Sequence, residues 1–131
     1  MAKEEKEERG DFEAPAMRPI VWLGNSRRNI QEFPPDDRKL MGDELQLMQH
    51  GGMPKDAKPF RGVGGGVIEI ALRHDGEAYR TVVALQLGRA IYVLHAFQKK
   101  SKKGIATPKH DVDLIKQRYK EAKELAEDEQ G

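Results

Sequence analysis

The chain of 131 residues contains no cysteine, only two serines and no long apolar run. Without cysteine it can form no disulfide framework, zinc–thiolate site or thiol nucleophile. Ser26 and Ser101 alone give poor support for a serine-nucleophile triad. No apolar run approaches the roughly 20 residues that a membrane span needs, and no signal-peptide pattern opens the chain. We therefore expect one small domain in a reducing cytoplasm.

The histidines and glycines also lack the spacings of metal and nucleotide sites. The four histidines (His50, His74, His95 and His110) show no HxH or HExxH pattern. The glycine-rich stretch 62–66 precedes a predicted strand rather than a helix, and it lacks the Lys-Ser/Thr pair of a phosphate-binding loop. Neither a metal nor a nucleotide cofactor is expected.

The net charge of +1 conceals a segregation of charge along the chain. Residues 1–16 carry three basic and six acidic side chains, and residues 121–131 carry one basic and five acidic. The body between them, 17–120, has 19 lysines and arginines against 11 acidic residues. A basic body with acidic ends favours a polyanionic partner, although a solvated surface with clustered charges would look the same.

Apolar periodicity predicts the element order β-α-α-β-β-β-α, an α+β fold. We expect a small curved antiparallel sheet with helices packed on one face and the other face partly open. Residues 1–16 are predicted to be a disordered acidic tail, 17–126 the folded domain and 127–131 a second acidic tail. The stretch 53–66 is predicted to be a loop.

Two alternating segments, Val67–Arg73 and Tyr79–Leu87, flank the hairpin signal Asp75-Gly76. This pattern places Arg73 and Arg80 on the non-core face of adjacent strands. Two guanidiniums so close repel each other unless an anion lies between them, and a phosphodiester is an anion that arginine binds bidentately. Alternatively, Arg80 pairs with Glu69 or Glu77 across the hairpin.

Other cations surround this predicted face. Lys99 and Lys100 close the following strand, and four more basic residues on loops are candidates for RNA binding: Lys58, Arg61, Lys102 and Lys103. Metal-free RNA cleavage needs a base, an acid and positive charge at the phosphorane. His95 is the only histidine inside a predicted strand beside the cluster, so it is the candidate for proton transfer. The alternative is a hydrogen-bonded core histidine.

Several motifs resemble the RelE/ParE toxin superfamily. They are the run Arg18–Gly24, the segment Lys58–Gly62 before the sheet and the pair Tyr79-Arg80. The block Leu94–Ser101, followed by Thr107-Pro108, resembles the HigB-like, phage-derived branch. The resemblance covers about residues 17–126.

The resemblance implies a microbial-ribonuclease-like fold and the toxin of a type II toxin–antitoxin pair. Such proteins cut mRNA in the ribosomal A site without metal, and their partner is a cognate antitoxin, here of the helix-turn-helix type. Arg80 matches the family's arginine at the scissile phosphate, and Arg73 and Lys99 or Lys100 match basic strand-end positions. Glu69 and Ala71 depart from the pattern, because family members often have basic residues there. The alternatives are a non-catalytic, ParE-like inhibitor of DNA gyrase and an inactive prophage remnant that retains antitoxin binding.

Overall fold

The computed structural model describes residues 17–100 and 107–130, without the side chains of Lys100 and Gln130. The predicted disordered tail, 1–16, lies outside this description. Within these ranges the chain forms five strands and three helices: β1 (Ile20–Trp22), α1 (Ser26–Gln31), α2 (Pro35–Gln49), β2 (Ala57–Pro59), β3 (Val67–His74), β4 (Glu77–Ala84), β5 (Ile91–Lys100) and α3 (Lys109–Gln130).

The five strands form one sheet in the order β1-β5-β4-β3-β2. Strand β1 runs parallel to β5 and every other pair is antiparallel, so the sheet is mixed. The α+β class is confirmed, but the sheet is not purely antiparallel. Strand β2 lies in the stretch predicted to be a loop. It has only three residues, and a proline is tolerated in it because it is an edge strand.

The predicted hairpin joins β3 to β4. Asp75 and Gly76 both have positive φ, 53° and 78°, as a two-residue type I′ turn requires. The register pairs His74 with Glu77 and continues without a break to Val67 and Ala84. This turn fixes which side chains of the two strands share a face.

Helices α1 and α2 cover the first face of the sheet. Their buried side chains include Ile30, Met41 and Leu45, which pack against residues such as Ile70 and Val83 of the strands. Strands β3 and β4 bring to this core the positions at which apolar residues alternate, as the sequence predicted.

Helix α3 covers part of the second face, so the expectation that helices pack on one face is wrong. Ile115 and Ala122 of α3 are buried against Val82, Tyr92 and Leu94 of the sheet. The amphipathic pattern of α3 shows that one side is buried but does not show against which face, because both faces of β5 are apolar.

The C-terminal end of α3 also differs from prediction. The helix continues to Gln130, so residues 127–130 are helical rather than an acidic tail. Ala126 is buried in the second core, which is the apolar cluster between α3 and the sheet. The Tyr92 hydroxyl donates to Glu129 Oε1 at 3.3 Å. These contacts hold the last turns despite acidic charge at the negative end of the helix.

The start of the described chain is tied to the far end of the sheet. The Arg18 guanidinium donates to the carbonyls of Leu85 at 2.6 Å and Arg89 at 2.7 Å, in the β4–β5 turn. The Arg18 N–H donates to the carbonyl of Gln49, at the end of α2, at 3.0 Å. Strand β1 is thereby fixed beside β5.

Candidate nucleic-acid interface

The end of the second face nearest the β3–β4 turn is polar, and the register arranges its side chains in three rows across the sheet. Directly paired residues project on the same side, so each row can be read from the pairing. The rows are Arg73–Ala78–Lys99, Ala71–Arg80–Phe97 and Lys58–Glu69–Val82–His95. We call this surface the cationic face.

A β-bulge marks the end of the cationic face that lies farthest from the β3–β4 turn. Val82 pairs with His95 but Val83 pairs with Val93, which leaves Leu94 as the extra residue of β5. A bulge of this kind turns two neighbouring side chains to the same side. Leu94 therefore enters the second core under α3, and His95 lies beside it at the boundary with the polar rows.

Arg80 and Glu69 form a buried ion pair at the centre of the cationic face. Arg80 is 8% exposed and Glu69 is 4% exposed, and Arg80 Nη1 donates to Glu69 Oε2. Arg80 Nε is buried and has no hydrogen-bond acceptor among the described residues. The same-face placement of Arg73 and Arg80 is as expected, and Arg73 is exposed. Arg80 does not project, because a carboxylate on the neighbouring strand holds it against the sheet.

Lys58 and Lys99 flank this ion pair. Lys58 is exposed and stands directly opposite Glu69 on β2, and Lys99 is half-buried on β5. Partial burial lowers the pKa of Lys99, and the positive charges of Arg80 and Lys58 lower it further, whereas Glu69 opposes this effect. The four side chains therefore share one electrostatic environment.

His95 lies at the foot of the cationic face with both ring nitrogens engaged. Nε2 is 2.8 Å from Asp111 Oδ1, and Nδ1 is 3.5 Å from Arg118 Nη1. Because the guanidinium can only donate, Nδ1 accepts and Nε2–H donates to the carboxylate. Burial lowers the pKa of His95, although Asp111 opposes the shift. The ring stacks on Phe97 with centroids 5.0 Å apart.

This geometry is that of the hydrogen-bonded core histidine that was the alternative interpretation. His95 reaches the surface of the cationic face through Asp111, whose side chain is partly exposed. Its role in proton transfer stays a prediction.

Arg118 is a site residue that the sequence analysis missed. It is buried, and it donates to the carbonyl of Leu94 at 3.0 Å and to Asn25 Oδ1 at 2.8 Å. Burial lowers the pKa of its guanidinium. It packs so closely on Gly24 that an added Cβ there would clash with Nη2. Arg118 interrupts the apolar stripe of α3 three residues after Ile115, and that interruption was the available signal.

The remaining predicted site residues, one catalytic candidate (Lys100) and three RNA-binding candidates, lie away from the three rows or outside the described residues. Arg61 is exposed in the turn after β2. Lys100 ends β5 and pairs with Glu77. Lys102 and Lys103 lie outside the described residues.

A cavity of about 280 Å³ opens at the free edge of β5, beyond the three residues that pair with β1. It is lined by residues of α1, of the segment that follows α1, and of β5, which include Glu32, His95 and Gln98. The Asn29 side-chain amide donates to the carbonyl of Ala96 at 2.9 Å and so occupies part of the strand edge. The cavity gives solvent a second approach to the ring of His95.

Neither a metal cluster nor a membrane span is found in the part of the chain that the structure describes. No group of three or more histidine, aspartate or glutamate side chains is placed there to hold a metal ion. No helix in 17–100 or 107–130 has the length and apolarity needed to cross a bilayer.

The fold and this surface define a small α+β protein with a cationic sheet face beside its last helix. A family model matches residues 28–120, and its description is phage-derived protein Gp49-like (DUF891), a RelE-toxin-like family. The chain belongs to this family. No curated protein and no solved structure shows significant similarity to it.

Proposed function

We propose that the protein is the toxin of a type II toxin–antitoxin pair, of the HigB-like branch, and that it cuts mRNA in the ribosomal A site without a metal ion. The observation that carries the proposal is the gathering of Lys58, Arg80 and Lys99 on one sheet face, where burial lowers the pKa of Lys99 and the charges of Arg80 and Lys58 lower it further. Membership of a RelE-toxin-like family supports it further.

Such a face suits an RNA backbone. Arginine binds phosphate oxygens bidentately and lysine binds them as a point charge. Phe97, in the same row as Arg80, is partly exposed and can stack on a base. Neighbouring side chains within a row are about 5 Å apart, and successive rows are about 7 Å apart along the strands, which matches the scale of one nucleotide.

The proposed reaction transfers the phosphate within the RNA. The 2′-oxygen attacks phosphorus and the bond to the 5′-oxygen breaks, which leaves a 2′,3′-cyclic phosphate and a 5′-hydroxyl. Arg80 and Lys99 stabilise the charge of the phosphorane, for which preorganised cations are the largest contribution. A lysine of lowered pKa is also a better acid for the leaving 5′-oxygen, so Lys99 joins His95 as a candidate for proton transfer.

The proposed partners are mRNA on the ribosome and a cognate helix-turn-helix antitoxin, and the proposed location is the cytoplasm. Binding of RNA through phosphates makes affinity fall by about 0.7 in log K per decade of salt for each phosphate neutralised on a single strand. A flat salt response contradicts the cationic face as the binding site.

The test is induced expression in bacterial cells, with growth and new mRNA 5′ ends as readouts. Lys99→Ala is expected to relieve growth arrest and to remove the new ends that primer extension detects in translated regions. Arg27→Ala, which removes an exposed cation on α1, is the control and should leave both unchanged. Because Arg80→Ala leaves Glu69 buried without its partner, the Arg80 test uses Glu69→Gln/Arg80→Met, which is electrically neutral.

The buried ion pair favours a second candidate function, an inactive remnant that retains only antitoxin binding. In that case Arg80 is structural, and purified protein neither cuts mRNA on ribosomes nor arrests growth, yet still binds the antitoxin. Growth arrest with DNA damage and intact mRNA would instead identify a gyrase inhibitor. EDTA should leave mRNA cleavage unaffected if the first proposal holds.

A further inference from the structure

Glu69 is the one acidic side chain within the three rows of the cationic face, and the mechanism above gives it no task. It is 4% exposed, lies on β3 and pairs with Arg80 on the neighbouring β4. A carboxylate there occupies the guanidinium that a phosphate would need. An inference about Glu69 therefore concerns how RNA reaches Arg80, and it rests on the proposed function.

Arg80 has unused capacity for an anion. Only its Nη1 is bound to Glu69, and its Nε–H is buried without an acceptor among the described residues. A buried donor that lacks an acceptor is costly, so a second anion beside Arg80 would relieve that cost. Row neighbours on either side, Ala71 and Phe97, present no competing acceptor through their side chains.

Breaking the ion pair without replacement is unfavourable, because it would leave two buried charges uncompensated. The chain offers Glu69 another cation. Lys58 stands directly opposite Glu69 across β2 and β3, and it is exposed. Cβ atoms of directly opposed residues lie about 5 Å apart, so the flexible lysine side chain can reach the carboxylate.

We propose that Glu69 is an exchangeable counter-ion: an RNA phosphate replaces it on Arg80, and Glu69 transfers to Lys58. In the free protein Arg80 is neutralised by Glu69 and Lys58 is solvated. In the RNA complex Arg80 binds phosphate through its guanidinium, and Lys58 neutralises Glu69. Glu69 and Lys58 are then positioning residues that set the affinity for RNA.

The exchange has a consequence for selectivity. A single small anion must compete with a carboxylate that is already in place, whereas an RNA strand also contacts the other cations of the face. The internal carboxylate therefore discriminates against isolated phosphate and favours a polyanion. Removal of Glu69 should weaken that discrimination.

The first experiment measures binding of a fully 2′-O-methylated RNA oligonucleotide, which cannot be cut, by fluorescence anisotropy. Glu69→Gln is expected to lower Kd by about tenfold, because the phosphate no longer competes with a carboxylate for a charge-assisted hydrogen bond to Arg80. The control, Glu77→Gln, makes the same charge change on the first face, where Glu77 accepts from Gln98. It should tighten Kd by about twofold at most, through long-range attraction screened by salt. Equal effects of the two variants overturn the proposal.

The second experiment tests the transfer to Lys58 with a double-mutant cycle. Lys58→Met is expected to weaken RNA binding by about tenfold when Glu69 is present, because Glu69 then has no second cation. In the Glu69→Gln background the same substitution should weaken binding by about twofold, the loss of one exposed charge. Equal losses in the two backgrounds overturn the transfer.

A third measurement needs no substitution, which matters if Glu69→Gln fails to fold. In the full-length protein labelled with nitrogen-15, the Arg80 Nε–H signal should shift with the same RNA midpoint as the anisotropy. A signal that does not move while RNA binds overturns the exchange.

These outcomes separate the proposal from the proposed function. RNA that binds but is never cut on ribosomes removes the endoribonuclease and leaves the exchange standing. Cleavage that proceeds while Glu69→Gln behaves like Glu77→Gln removes the exchange alone. Failure of every variant to bind the oligonucleotide removes the exchange, and cleavage of mRNA on ribosomes then decides the proposed function by itself.

Discussion

The two faces of the sheet are built from the same strands but differ in how far helices cover them. On the first face, α1 and α2 cover the alternating apolar residues, and the core there includes Met41 and Val83. On the second face, α3 covers only the half that lies beyond the β-bulge from the β3–β4 turn. The half nearer the turn carries an ion pair among cations. Both faces bury an apolar core that contributes to stability, but the core of the second face lies under only half of it. The second trades some of that stability for a polar surface.

The largest effect on stability should come from the first face. Met41→Ala removes a side chain that is fully buried, and it is expected to cost about 2–5 kcal/mol in the free energy of unfolding. Phe97→Ala, on the partly exposed row of the second face, should cost about 1 kcal/mol. Urea unfolding measures both, and equal costs would end the distinction between the faces.

At the boundary between the apolar and polar halves of the second face, Arg118 should have the next largest effect. Arg118→Met keeps a long side chain but loses the bonds to Leu94 and Asn25, at a cost of about 2 kcal/mol. It also frees Nδ1 of His95, so the imidazole signal of His95 in NMR should change while that of His50 does not. A destabilised variant with an unchanged His95 signal would contradict the assigned contact.

Two histidines should give stability opposite dependences on pH. His74 lies on the first face, where the hydrogen bond to Asp37 raises its pKa. Its contribution to the free energy of unfolding is complete below the unfolded pKa near 6.5 and is lost as pH rises through the folded pKa. Burial lowers the pKa of His95, so its unfolded form binds more protons. Stability that depends on neutral His95 is then complete above pH 6.5 and is lost as pH falls toward the folded pKa.

NMR titration of the imidazole C–H signals measures both values directly. His74 should titrate above 6.5 and His95 below it. The free energy of unfolding should also be measured across pH for His74→Gln and His95→Gln. Each variant should lose the pH dependence that the replaced histidine contributes, and the two lost dependences should have opposite signs. If His95 titrates above His74, the ring is charged in the fold and the contact to Arg118 is wrong.

The smallest effect should come from the exposed side of α2, which belongs to neither face. Lys39 Nζ is 3.1 Å from Asp43 Oδ2, one turn apart, and both side chains are exposed. Asp43→Asn should change the free energy of unfolding by about 0.5 kcal/mol or less. A larger loss in urea unfolding would mean that α2 depends on surface charge as well as on its buried side.

Local patterns in the sequence were enough to predict the β3–β4 hairpin and the shared face of Arg73 and Arg80, because strand alternation and an Asp-Gly turn act over a few residues. Strand β2 could not be predicted from its own composition, since three residues with a proline become a strand only by pairing with β3. The side of the sheet that α3 covers was equally hidden, because both sides of β5 are apolar.

The sequence predicted which residues form the candidate site better than it predicted their burial and pairing. The residue types and register identified Arg80, Lys99 and His95 as neighbours. They did not decide between a projecting Arg80 and one paired with Glu69, because that choice depends on burial by the rest of the face. Arg118 was overlooked because a cation in an apolar stripe looks like a break in the pattern rather than a buried hydrogen-bond donor.

The parallel pairing of β1 with β5 has a consequence for how the protein is made. The first strand of the described chain finds its partner only among residues 91–93, and the three rows draw on segments from β2 to β5. Contacts so distant in sequence form late and slowly. A nascent chain therefore cannot present the complete cationic face until β5 has been synthesised and has paired with β4.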